Sequence, residues 1–147
     1  MSEETPAPAP PPGFVRSSGR GPFTTHNGPY FHRVTDRGLE QAFYAVPRHC
    51  NGVGLIHGGM LSAFLDGLLA GTAARGGGTP ITMHLSVDFL AMGRAGEWVF
   101  GEARPTKVTR DIAFVEGRAY TAAHDLARAS GVFKLMRPRA VLGDADA

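Results

Sequence analysis

Residues 51–74 constrain the fold of this chain more than any other stretch. They read NGVGLIHGGMLSAFLDGLLAGTAA, a glycine-rich loop that continues without proline into a helical pattern. Large apolar residues recur at the spacing of one helix face, and small residues form a second face. The large residues are Leu61, Phe64, Leu65 and Leu68, and the small ones are Gly59, Ala63, Gly67, Ala70 and Ala74. A helix that is apolar on every side is normally buried, so we expect the rest of the chain to fold around it.

One acidic residue, Asp66, lies in the middle of this helix. A carboxylate in a buried helix is unfavourable unless it is paired, hydrogen-bonded or protonated. Asp66 is therefore either a structural carboxylate, held by a backbone amide or an arginine, or a catalytic acid or base. The helix starts at Gly58 and Gly59, whose backbone amides no side chain covers and which lie at the positive end of the helix dipole. Such amides can stabilise an oxyanion, so the helix predicts acyl-transfer chemistry.

If Gly58 and Asp66 act on one substrate, their separation requires two copies of this helix. They lie eight positions apart, which is about 12 Å along the axis at about 1.5 Å per residue. One carbonyl group cannot lie within hydrogen-bond distance of the Gly58 amide and also within reach of water activated by Asp66. The sequence therefore predicts an oligomer whose active sites are shared between subunits.

Strand patterns surround the helix. Glycines at 76–78 end it, and Pro80 prevents its continuation. Residues 81–89 then alternate strictly between apolar and polar, the period of a half-buried strand. We expect further strands at 39–46, 97–104, 112–121 and 126–136, and a connecting segment with a short first strand within 23–33. Pro105 predicts a bulge or a strand end. Short connections among the last four strands predict an antiparallel meander, in a sheet that curls around the helix.

Length and composition bound the remaining possibilities. A chain of 147 residues, 43% hydrophobic and 19% charged, is an ordinary single domain. Its prolines predict a disordered tail over residues 1–20, followed by the folded domain at 21–138 and a C-terminal tail at 139–147. A net charge of +2 argues against nucleic acid or an anionic membrane as a partner. The helix is too short to span a bilayer.

The chain carries no signal of a secreted or metal-binding protein. It has one cysteine, Cys50, so an intramolecular disulfide is impossible and a cytoplasmic location is expected. The N-terminus lacks a basic and apolar leader. The histidines do not have the spacing of zinc ligands. We therefore expect no metal site.

The pattern Asn51-x5-His57-Gly58-Gly59-x6-Asp66 resembles the motif of the hotdog-fold thioesterases. It is most similar to the phenylacetyl-CoA thioesterase (PaaI-like) branch of the 4-hydroxybenzoyl-CoA thioesterase superfamily. The resemblance covers about residues 30–137. It implies an α+β fold in which a curved antiparallel sheet wraps around one long central helix. It also implies hydrolysis of an acyl-CoA substrate, without a cofactor, by a homodimer or homotetramer.

The resemblance also assigns roles to residues of the motif. Asp66 corresponds to the catalytic carboxylate, acting as a general base on water or alternatively as a nucleophile that forms an anhydride. Gly58 corresponds to the oxyanion donor, with Gly59 as its neighbour. Asn51 corresponds to the residue whose amide orients the water or the carboxylate. His57 precedes the helix and is expected to hydrogen-bond loop backbone.

Thr82 aligns with a position that carries serine or threonine near the site in related enzymes. The alternation of residues 81–89, however, places Thr82 on the polar face, away from the core. Two other functions remain open: a hotdog protein that binds acyl-CoA or an aromatic acid without turnover, and a hydratase of the same fold. A hydratase needs an Asp and His pair that the central helix lacks. The acyl group is not identified, because the face taken by several large residues is unknown: Phe43, Phe64, Leu68, Met83 and Phe89.

Overall fold

One antiparallel sheet and one long helix make up most of the computed structural model, which describes residues 7–138. The strands are β1 (Val15–Arg16), β2 (Phe31–Thr35), β3 (Gly38–Tyr44), β4 (Thr79–Phe89), β5 (Trp98–Val108), β6 (Ile112–Tyr120) and β7 (Asp125–Met136). The helices are α1 (Gly21–Asn27) and α2 (Gly58–Ala73), with single 3-10 turns at Pro47–His49 and Ala74–Gly76. Because α2 packs against β3, β4, β5, β6 and β7, the predicted architecture of a sheet around a central helix is confirmed. No helix among the described residues is long and apolar enough to cross a membrane.

The strand order differs from the predicted meander. Neighbours in the sheet are β1-β2-β3-β5-β6-β7-β4, so β5, β6 and β7 form a meander but β4 pairs with β7 instead of β5. The connection from β4 to β5 crosses the start of α2, where the Ile56 amide donates to the Gly93 carbonyl at 2.8 Å. This crossing places β4 at one edge of the sheet. The predicted bulge near Pro105 is confirmed by a register shift between Pro105 and Lys107.

Glycine in the sheet allows α2 to lie close to it. A Cβ atom at Gly101 of β5 would lie 2.7 Å from Leu68 Cδ2 and 2.8 Å from Phe64 Cε1, distances that real side chains do not adopt. Phe64, Leu65 and Leu68 are fully buried as a result. The opposite face of α2, which includes Ala63, is only partly covered in the single chain. The expectation of a helix buried on every side is therefore wrong for one subunit.

The N-terminal segment is more ordered than its prolines predicted. Phe14 is 7% exposed and packs in a second apolar cluster with Phe31 and Ala42, and β1 pairs with β2. The α1 helix lies where we expected a connecting segment. The boundary at residue 20 is therefore wrong, because this aromatic anchor and strand precede it. Residues 1–6 of the predicted N-terminal tail, and the whole predicted C-terminal tail at 139–147, lie outside the described residues.

Candidate active site

The carboxylate of Asp66 is bonded by Thr82. The Thr82 hydroxyl donates to Asp66 Oδ1 at 2.7 Å, and Asp66 is partly exposed on the uncovered face of α2. A hydroxyl has one proton to donate, so this bond fixes one carboxylate oxygen. It leaves the other oxygen available to a water or a substrate.

A bulge in β4 explains why Thr82 points toward the helix. The pairing of β4 with β7 shifts in register between Thr82 and His84, and an extra residue at a bulge reverses which face each side chain takes. Leu85 and Val87 pack against the core, as the alternation predicts. Before the bulge the alternation is reversed. Thr82 therefore faces the helix, and Met83, which the pattern placed on the core face, is 66% exposed. The expectation that Thr82 faces away from the core is therefore wrong.

The start of α2 presents one unpaired amide. The Gly59 N–H donates to His57 Nδ1 at 2.7 Å, which makes His57 the N-terminal cap of the helix. Because Nδ1 accepts this bond, the proton of the neutral ring is on Nε2. The Gly58 N–H has no acceptor among residues 7–138. Of the two glycines, Gly58 is thus the one able to donate to an oxyanion, and Gly59 serves the cap.

The ring of Phe89 lies over Gly58. A Cβ atom at Gly58 would be 3.3 Å from Phe89 Cζ, although the Phe89 side chain is 56% exposed. The ring therefore borders the space in front of the Gly58 amide. The sequence suggested Phe89 only as one of several residues that could line the acyl pocket.

Asn51 is engaged in the loop before the helix. Its Oδ1 accepts the backbone amides of Val53 and Leu55, each at 3.1 Å, and its own N–H donates to the Leu55 carbonyl at 2.8 Å. These bonds define the loop and leave the side-chain NH₂ group to donate elsewhere. Within residues 7–138 of one chain, Asn51 makes no hydrogen bond to Asp66.

One chain does not unite the candidate donor and the candidate base. Gly58 is the first residue of α2 and Asp66 lies eight positions later, about 12 Å along the axis. The edge of the sheet beside this face is β4, whose outer side pairs with no strand among the described residues. Ile81 and Met83 on this strand are 48% and 66% exposed. The site of a single chain is open on this side.

A polar group missed by the sequence analysis, the side chain of Arg20, contacts the same helix from the segment before α1. Arg20 donates from Nη2 to the carbonyl oxygen of Gly67 at 3.3 Å. With the amide of Gln41 turned so that its oxygen faces the guanidinium, that oxygen accepts from Nη1 at 2.5 Å and from Nη2 at 3.0 Å. The neighbouring Tyr30 side chain is buried, and this burial raises the pKa of its phenol to about 12. The charges of Arg20 and Arg48 oppose the shift. The alternation of β3 could have indicated that Gln41 faces α2 and needs a partner.

No group of three or more His, Cys, Asp or Glu side chains suited to a metal ion occurs among residues 7–138. The polar groups that the structure presents on and beside the open face of α2 are the carboxylate of Asp66, the hydroxyl of Thr82 and the amide of Gly58.

Comparison with known proteins relates this chain to the thioesterase superfamily. Residues 53–138 match the model of the thioesterase superfamily. A Pseudomonas aeruginosa protein, "Putative esterase PA0474", is 33% identical over 129 residues, which are 85% of this chain and 96% of that protein.

Two solved structures share the fold. A hypothetical thioesterase with coenzyme A from Streptococcus pneumoniae has a TM-score of 0.69 at 16% identity, over 76% of this chain and 88% of that one. The Escherichia coli PaaI protein from the phenylacetic acid degradation operon has a TM-score of 0.65 at 18% identity, over 67% and 72%.

Proposed function

The chain belongs to the thioesterase superfamily, and from that premise we propose that it hydrolyses an acyl-CoA thioester with Asp66 as the general base. The observation that carries the proposal is the hydrogen bond from Thr82 to Asp66 Oδ1. It holds a partly exposed carboxylate in one orientation on a face lined by small residues. A structural carboxylate would have no need of this open face.

The proposed reaction uses groups from two subunits. Asp66 accepts a proton from water through its second oxygen as that water attacks the thioester carbonyl. The carbonyl oxygen becomes an oxyanion and accepts a hydrogen bond from Gly58 of the partner subunit. When the tetrahedral intermediate collapses, the carbon–sulfur bond breaks, coenzyme A leaves as thiolate and takes up a proton. The products are the free acid and the thiol.

Two-fold symmetry supplies the required geometry. If two α2 helices lie antiparallel, the axis passes near the residue midway between Gly58 and Asp66, which is Ser62. Each Gly58 then lies opposite an Asp66 of the other chain. The small residues around this point favour close approach, and the Ser62 hydroxyl is already bonded to the Gly58 carbonyl of its own chain at 2.8 Å. Pairing of the two β4 edges would place the helices side by side in this way.

The relatives support the choice of substrate. The Streptococcus pneumoniae structure contains coenzyme A, and the Escherichia coli protein of the same fold carries the name PaaI. We therefore propose the PaaI-like branch, a homodimer or a dimer of dimers, and a cytoplasmic location. In this scheme Asn51 and Phe89 border the bound thioester, with the Asn51 NH₂ group available to the water or the acyl carbonyl.

The test is release of free thiol from a panel of aromatic and straight-chain acyl-CoA thioesters by wild type and Asp66→Asn. Asparagine keeps the shape and the bond from Thr82 but cannot accept the proton. We expect at least one substrate to turn over and kcat to fall about 100-fold or more in the variant. Equal turnover by both proteins would exclude Asp66 as the base. Binding of acyl-CoA without turnover by either protein would instead identify an acyl-binding protein without catalysis.

A further inference from the structure

A guanidinium group from the N-terminal segment occupies the place of a side chain on α2. Arg20 Nη2 lies 3.3 Å from the Gly67 carbonyl oxygen, and a Cβ atom at Gly67 would be 3.1 Å from the same nitrogen. A larger residue at this position would crowd the guanidinium, which would have to shift by a few tenths of an ångström. Gly67 follows Asp66 directly, about 1.5 Å further along the helix axis. Arg20 therefore flanks the same open face as the proposed base.

Within the part of the chain that the structure describes, Arg20 has no acidic counter-ion. Its described partners are the Gln41 side-chain oxygen and the Gly67 carbonyl oxygen, both neutral. No carboxylate among residues 7–138 lies within ion-pair distance of it. Partial burial lowers the pKa of Arg20, because removal from water disfavours the charged form. Buried charges in proteins are normally paired, so a partly buried guanidinium with only neutral partners can accept a carboxylate from a ligand.

Part of the guanidinium remains available to a ligand. An arginine has five N–H donors, and the contacts with Gln41 and Gly67 occupy three of them. No fully buried side-chain nitrogen among the described residues lacks a partner. The Nε–H of Arg20, which has no acceptor there, is therefore accessible. A carboxylate is the group that best matches such donors in charge and geometry.

The open face of α2 lies between two polar flanks. Thr82 touches Asp66 on the side of β4, and Arg20 touches Gly67 on the side of the N-terminal segment. The residues one turn before and after, Ala63 and Ala70, are small and partly exposed. In the proposed oligomer, an acyl chain whose carbonyl lies at Asp66 would pass between these residues and the partner subunit toward Arg20.

On the basis of the proposed function, we infer that Arg20 determines specificity by selecting acyl groups that end in a carboxylate. The substrates are then coenzyme A monothioesters of short dicarboxylic acids. The carboxylate replaces solvent at the accessible donors and supplies the missing negative charge. Gln41 holds the guanidinium in position.

The experiment compares matched acyl chains that differ only at the far end: succinyl with butyryl, glutaryl with valeryl, and adipyl with hexanoyl. For at least one pair, we expect wild-type kcat/KM to favour the carboxylate about 10- to 100-fold, the range of a charged hydrogen bond. Arg20→Met should abolish this preference while leaving the uncharged substrate within a few-fold. Arg16→Met is the matched control, because Arg16 is exposed on the same segment, and it should retain the preference.

Other outcomes overturn the inference. A wild-type preference for the uncharged member of every pair overturns the inference, whether or not Arg20→Met folds. If Arg20→Met lowers kcat/KM equally for both members of a pair, the inference is also overturned, because Arg20 is then a structural anchor only. If wild type hydrolyses nothing, the proposed function fails separately. Calorimetric binding of non-hydrolysable thioether analogues then tests the preference, which Arg20→Met should abolish and Arg20→Lys should partly keep.

Discussion

Mixing two inactive variants tests whether each site is built from two subunits. Asp66→Asn removes the proposed base, and Gly58→Pro removes the proposed oxyanion donor. We expect each variant alone to lose about 100-fold in kcat. In a mixed oligomer, however, one site combines Gly58 of the first variant with Asp66 of the second. That site is intact.

Proline fits at position 58 with little disturbance of the fold. Gly58 is the first residue of α2, the helical position that proline tolerates best, and its N–H makes no bond within the helix. The preceding His57 has φ −64° and ψ 137°, the extended conformation that a following proline requires. The nearest obstacle is the ring of Phe89, whose Cζ lies 3.3 Å from a Cβ atom at 58. That ring is largely exposed and can turn aside.

The expected recovery follows from counting. After equimolar mixing and complete subunit exchange, a site is intact only when it takes Gly58 from one variant and Asp66 from the other. Two independent choices between equal populations make this about a quarter of all sites in a two-fold assembly. The free-thiol assay should thus recover about a quarter of wild-type activity, for dimers and for dimers of dimers alike. Exchange is achieved by co-expression and checked with two affinity tags.

A double variant with both changes in one chain is the control. Mixed with an equal amount of wild type, it should leave about a quarter of sites active if sites are shared, but about half if each chain builds its own site. No recovery on mixing the single variants, together with half activity in the control, would refute the shared site. Full activity of Gly58→Pro alone would refute the role of the Gly58 amide.

Two further variants probe the surroundings of the site. Thr82→Val removes the hydrogen bond that orients Asp66 and should lower kcat/KM about tenfold, or about 1.4 kcal/mol. Thr82→Ser keeps the hydroxyl and should keep the activity. Equal activity of Thr82→Val and wild type would contradict this role. The pKa of Tyr30 in the folded state is raised to about 12 from 10.0. The neutral buried phenol therefore stabilises the fold fully below about pH 10, and this contribution is lost as pH rises toward about 12. The loss is at most about 3 kcal/mol. Urea unfolding at pH 9 and 11.5 should therefore show a smaller decrease in stability for Tyr30→Phe than for wild type, and an equal decrease would contradict the assignment.

The sequence predicted the central helix and most strands because their apolar periods are strong. The long strands fell within a few residues of their observed bounds, since alternation and proline mark strand ends. Periodicity carries no information on which strands are neighbours, so the pairing of β4 with β7 was missed. The order of Phe14 and β1 was missed because composition describes a segment alone, whereas Phe14 is held by a cluster with Phe31 on another strand.

At the site, the sequence predicted the spacing of residues along one helix but not the contacts between different elements. Gly58 and Asp66 could be placed on one helix, about 12 Å apart, from their positions in the chain. Thr82 was placed on the wrong face because a bulge leaves no clear signal in an alternating sequence. Arg20 was missed for a related reason: its contacts join residues 47 positions apart, and only the buried amide of Gln41 hinted that a polar partner was needed.

The bulge in β4 also bears on the oligomer. By turning Thr82 toward the helix, it turns Ile81 and Met83 outward, where they are 48% and 66% exposed on an edge strand. Exposed apolar side chains on an unpaired edge favour association, and this edge adjoins the open face of α2 that carries Asp66. A single residue insertion in the strand thus orients the proposed base and exposes the surface on which a second subunit can complete the site. Catalysis and assembly are then coupled, so a substitution that disrupts pairing of the β4 edges should abolish turnover even with Asp66 and Thr82 intact.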